Sequence, residues 1–110
     1  MGKTTKRAEW EHLLPRRCRL PYGYEVEFHV VSQAYVNRLG KRGHIWGVAF
    51  DFGEPVPGRK TVPAKTAHIY FSRELTTVGF VDKLQHEMHH TVTEWGGWVF
   101  DSVINQKERP

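Results

Sequence analysis

Three histidines and a glutamate fall within residues 86–90, in the stretch "VDKLQHEMHH". His86 and His90 are four apart, so on a helix they are neighbours on one face. With Glu87 they spell H-E-x-x-H, read here as His86-Glu87-Met88-His89-His90. Two imidazoles one helical turn apart can reach a single Zn2+ at roughly 2.0–2.1 Å. A glutamate one step round the helix can reach a water held in the open position of such an ion, where it acts as general base. The pattern therefore predicts one zinc ion per chain, with His86 and His90 as ligands and Glu87 as the proton-transferring group.

The helix that must carry these residues is legible around them. Val81, Leu84, Met88, Val92 and Trp95 recur at steps of three and four and form one apolar stripe. Met88 is at its centre, and at about 100° per residue His86 and His90 lie roughly 160° from it on either side. They face away from the core, which argues against satisfied core histidines. His89 lies on the flank and reads as a helix-surface residue. The helix is expected from about Thr77 to Trp95, with Gly96 and Gly97 as its stop. "WVFDSVINQ" is expected to form a last short helix.

Upstream, the pattern is one of strands. In "GYEVEFHVVS", Tyr24, Val26, Phe28 and Val30 alternate with Glu25, Glu27 and His29, so a half-buried strand is expected. "HIWGVAFDF" reads as a second strand, with Gly47 at a bulge, and "TAHIYFS" as a third. "RAEWEHLLP" is expected to form a helical turn or two, ended by Pro15. "AYVNRLGKRG" reads as a polar connector, and "GEPVPGRKTVPAK" as a loop by its prolines and glycines. The expected fold is α+β, with a small three-stranded sheet packed against one main helix and a short C-terminal helix.

At this point the chain resembles a known family. "HIYFSRELTTVGFVDKLQHEMHH" is similar to the core of the zincin metallopeptidases, an edge strand followed by the active-site helix bearing H-E-x-x-H. More narrowly, residues 24–101 resemble the minimal zincin-like proteins of phages and bacteria. The resemblance implies a zinc-dependent peptidase with His86 and His90 as ligands and Glu87 as general base. It also implies that the strand bearing His68 and Tyr70 borders the cleft and pairs with an extended substrate through its backbone. His68 and Tyr70 are thus the substrate-binding candidates, and Tyr70 or a strand histidine is the candidate helper for the oxyanion. His29 and His44 read as structural.

The third ligand departs from the family's common patterns. The metzincin extension needs Gly at 93 and His or Asp at 96, where this chain has Thr93 and Gly96, and no histidine follows His90. Asp101 is favoured, because a turn at Gly96-Gly97 would fold it back over the site. Glu94 comes second, since it lies two turns from His86, about 12 Å along a straight helix. An upstream histidine such as His68 is the remaining choice.

The bulk properties narrow the partners. A chain of 110 residues fits one domain, spanning 1–110, in which a bound metal would supplement a modest core. The net charge of +4 sits largely at the ends, in "MGKTTKR", "PRRCR" and "QKERP". Residues 1–7 and 106–110 read as solvating tails. Without a basic stripe interleaved with aromatics, nucleic acid is not the expected partner. No apolar run approaches a membrane span, and the basic N-terminus lacks the apolar segment of a secretory signal. The lone Cys18 suits a reducing compartment, so a cytoplasmic location is expected. The expected partner is a peptide or protein substrate. The alternative is a zinc-stabilised protein-binding domain without turnover, such as a phage protein acting on a host protein.

Overall fold

The computed structural model describes residues 7–41, 43 and 45–108, with side chains described as far as residue 102. His44 and the tail residues 1–6 and 109–110 lie outside the described residues. The architecture is α+β: a four-stranded sheet and two α-helices. The strands are β1 (Arg17–Leu20), β2 (Tyr24–Val31), β3 (Gly47–Phe50) and β4 (Thr66–Ser72), in the order β1-β2-β4-β3. β1 and β3 run antiparallel to their neighbours, and β2 and β4 are parallel. Helix α1 (Gln33–Gly40) lies between β2 and β3 in sequence, and α2 (Thr77–Glu108) follows β4.

Alternation along the strands assigns the two faces of the sheet. Val26 and Phe28 of β2 and Ala67, Ile69 and Phe71 of β4 join Phe80, Leu84, Met88 and Trp95 of α2 in one core. Trp10 anchors this core from the N-terminal segment. It is 1% exposed, stacks on Phe80 at 4.2 Å and 6°, and donates its indole N–H to the Leu75 carbonyl at 2.7 Å. The other face meets α1 and the loop after β3, where Leu39, Phe50, Val56 and Tyr70 form a second cluster. Every residue of β4 is buried because both of its faces are covered.

Three expectations are corrected. The sheet has a fourth strand: in β1, Cys18 packs inward while Arg17 reaches Glu25 of β2 at 3.8 Å. The expected polar connector contains α1. Ser32 caps it by accepting the Tyr35 N–H at 3.2 Å, and Gln33, Val36 and Leu39 are its buried side. A serine cap followed by apolar residues at helical spacing is a start signal, here diluted by the surrounding charge.

The third correction concerns the end of the chain. α2 runs on through Gly96 and Gly97, so among the described residues no separate C-terminal helix follows it, and residues 106–108 belong to α2. A glycine ends a helix by taking positive φ, and neither of these does. In a helix interior, glycine costs only about 1 kcal/mol relative to alanine. Trp95, just before the glycines, packs on the main core and donates its indole N–H to the Pro21 carbonyl at 3.1 Å, while Trp98, just past them, is half exposed and borders a cleft with Tyr24 and Phe52.

Candidate metal centre and cleft

Packing of the stripe Phe80, Leu84 and Met88 on the sheet orients the rest of α2. Thr76 starts the helix, its hydroxyl accepting the Gly79 N–H at 3.1 Å. His86 and His90 then point to solvent, with ring centroids 4.7 Å apart and planes at 82°. Glu87 is 8% exposed, and its carboxylate lies 4.0 Å from His86 Nε2. His89 is exposed, its ring 6.2 Å from that of His90.

Glu87 faces a cleft of about 590 Å³ that runs past β3, between Leu39 and Gly40 of α1 and Lys83 of α2. Glu54 reaches the same cleft from the loop after β3. β3 is an edge strand, and among the described residues no strand pairs with its outer side. Gly47 opens β3 through a close approach rather than a bulge: a Cβ there would stand 3.1 Å from the Tyr70 carbonyl oxygen and 3.2 Å from Lys83 Cγ.

One turn beyond His90, Glu94 meets the loop carboxylates. Its pKa is pushed up to about 7, first by partial burial, then by the hydrogen bond to the Asp51 side chain and by the charges of Asp51 and Glu54. Asp51 and Glu54 are held by their own turn. Glu54 accepts the Asp51 N–H at 2.7 Å, and the Asp51 carboxylate accepts the Phe52 N–H at 2.6 Å.

Other expected site residues are placed elsewhere. Because α2 is unbroken, Asp101 lies eleven residues beyond His90 on the same helix, about 16 Å along its axis. It cannot share an ion with His86 and His90 of the same chain. His68 and Tyr70 lie on β4, a central strand rather than the edge, and on the sheet face opposite α2. Neither reaches the cleft of Glu87.

On that opposite face a different group converges. Glu27 and His29 of β2 stand beside His68 and Tyr70 of β4 through the parallel register. One ligand atom from each of Glu27, His29 and His68 lies within 4.8 Å of the others. His29 Nε2 is 2.9 Å from His68 Nδ1. The His29 pKa falls to about 4, first through burial, then through the charges of Arg59 and His68, with Glu27 opposing. That of His68 is also lowered, chiefly by burial.

Sequence reasoning missed Asp51, Glu54 and Lys83 as neighbours of the helix motif, and the Glu27–His29–His68 group altogether. For the latter the only signal is that Glu27 and His29 share the polar side of an alternating strand. No protein-family model matches the chain, and no curated protein or solved structure matches it.

Proposed function

We propose that the chain is a zinc-dependent peptidase of the zincin type. The observation that carries this reading is the placement of Glu87. It is nearly buried, flanked by two exposed imidazoles one turn apart, and it faces a cleft along an unpaired sheet edge. His86 and His90 offer two imidazole nitrogens to a zinc ion; among the described residues no third His, Cys, Asp or Glu ligand atom stands close enough to complete a group with them, so a third donor such as Glu54, which shares the cleft with Glu87, would have to move toward them. When bound, zinc supplies Lewis acidity to a carbonyl oxygen and brings the pKa of a coordinated water to about 7.

The remaining steps belong to the chain's own groups. The outer edge of β3 offers its N–H and C=O groups to an extended peptide, which adds as a further strand. Glu87 takes the proton from the attacking water and delivers it to the leaving amine. Lys83 puts a positive charge on the same wall, where negative charge develops on the carbonyl oxygen, the role first expected of Tyr70.

The test is Glu87→Gln, which keeps shape and removes the base. The variant should bind zinc nearly as the wild type does, keep its far-UV circular dichroism, and lose chelator-sensitive cleavage of a peptide library by a factor of roughly 10² or more. Equal cleavage by the variant, or no metal-dependent cleavage by the wild type, sinks the peptidase. Zinc binding without turnover would then mark a zinc-stabilised binding domain.

A further inference from the structure

We propose that Glu27, His29 and His68 form a second transition-metal site, which takes a zinc-class ion through two imidazole nitrogens and one carboxylate oxygen. It lies on the sheet face opposite α2, so no single ion can serve both this group and His86/His90. The two sites are independent, and this inference does not rest on the peptidase reading.

The parallel register creates the site. Glu27 is paired with His68, and His29 with Tyr70, so the three ligand side chains project from adjacent strands on one side. Rigid central strands, rather than a loop, hold them, and His68 is 1% exposed. The facing nitrogens of His29 and His68 are 2.9 Å apart, and the rings are roughly parallel, with centroids 5.1 Å apart. The ligand atoms of all three residues fall within 4.8 Å of one another, a spread that small movements would close onto one ion with bonds of about 2.0–2.2 Å. Two nitrogens and one oxygen suit zinc, cobalt, nickel or copper; calcium and magnesium require more oxygens than this group has.

The site also has an open side and a movable cover. His29 lines a cleft of about 570 Å³ together with Tyr35, Gly58, Arg59 and Tyr70. Arg59 is exposed and stands over the group, donating Nε–H to the Tyr70 hydroxyl at 3.2 Å, with Nη2 3.4 Å from His29 Nε2. Its charge opposes a cation, so entry of the ion requires the guanidinium to swing into solvent. Without an ion, a proton lies between His29 Nε2 and His68 Nδ1. An ion needs both lone pairs, so that proton moves to the far nitrogen of the ring that carried it. The bound tautomers are His29 Nδ1–H and His68 Nε2–H, with no net proton released.

Zinc titration of the full chain tests this. The wild type should bind two ions, and His86→Ala/His90→Ala should retain one. In that background, His29→Gln and Glu27→Gln should each weaken the remaining ion by more than the ~10–100-fold that loss of an outer-shell partner costs. Both positions are only partly buried, which favours folding of these variants, and circular dichroism checks it. Arg59→Gln should tighten the site on the order of ten-fold by removing a nearby positive charge. Imidazole nitrogen NMR should show the two named tautomers on zinc addition. The inference is overturned if folded His86→Ala/His90→Ala protein binds no zinc, or if its ion is indifferent to His29→Gln and Glu27→Gln. A single wild-type ion that survives His86→Ala/His90→Ala but not His29→Gln would uphold this site and refute the zinc-peptidase reading.

Discussion

Replacing Glu94 by glutamine should make the metal-free protein more stable in alkaline solution and leave it unchanged in acid. The cause is first the partial burial of the Glu94 carboxyl and then its pairing with Asp51, which together hold its pKa near 7 instead of 4.5. The folded state thus binds this proton more tightly than the unfolded chain does. The stabilisation it confers is complete below pH 4.5 and is lost as pH rises through 7. At about 1.4 kcal/mol per unit, a shift of this size corresponds to about 3 kcal/mol between the two limits. The Glu94 side chain remains largely in water, where charge interactions are screened, so the realised effect is about 1 kcal/mol. Glutamine stays neutral and can donate its amide N–H to Asp51. In chelator at pH 8, Glu94→Gln should therefore raise Tm by about 4 °C for a chain of this length. At pH 4 the two proteins should melt together. Differential scanning calorimetry between pH 4 and pH 8 reads both limits. A Tm difference that does not change with pH, or a variant less stable at pH 8, would falsify the proton-sharing pair.

Other outcomes follow from the packing and electrostatics. His29, with its pKa lowered to about 4, contributes stability that is complete above pH 6.5 and lost as pH falls through 4. His29→Gln should flatten this part of the pH–stability curve in urea titrations on chelated protein, and an unchanged slope would contradict the assignment. Trp10→Ala should cost about 3–5 kcal/mol, because it empties the centre of the main core and orphans the Leu75 carbonyl; a loss below about 1 kcal/mol in chemical denaturation would contradict that placement. Gln33→Ala should cost about 1–3 kcal/mol. It removes the acceptor of the Ser72 hydroxyl at 2.6 Å and the donor to Asn37 and the Ile45 carbonyl. Gln33→Glu, which keeps an acceptor but buries a charge, should be no better by the same measurement.

Much of the helix motif was legible because its geometry is local. The period of α2 placed Met88 inward and His86 and His90 outward from spacing alone; alternation marked β2, and a short apolar run marked β4. Where charge diluted a short pattern, as in β1 and α1, elements went unseen: four residues with two arginines, and eight residues with one buried side. Trp10 shows another limit. Its segment reads as a helical turn, yet nothing local marks its indole as the residue that closes the core between Phe71 and Phe80.

By itself the sequence determined which side chains share a helix face or a strand face, since those periods depend only on backbone geometry. Helix α2's continuation past Gly96-Gly97 shows only in the folded chain: neither glycine adopts the positive φ that would end the helix, and each costs a helix interior only about 1 kcal/mol. That continuation carries Asp101 away from the histidines. Strand order was also decided in three dimensions: β4 took the centre and β3 the edge, so the cleft borders Gly47–Phe50 rather than His68 and Tyr70. The convergence of Glu27 and His29 with His68, about forty residues later, has the same origin. Strand pairing is chosen by which faces can be covered together, and that choice depends on every element at once rather than on any window of the chain.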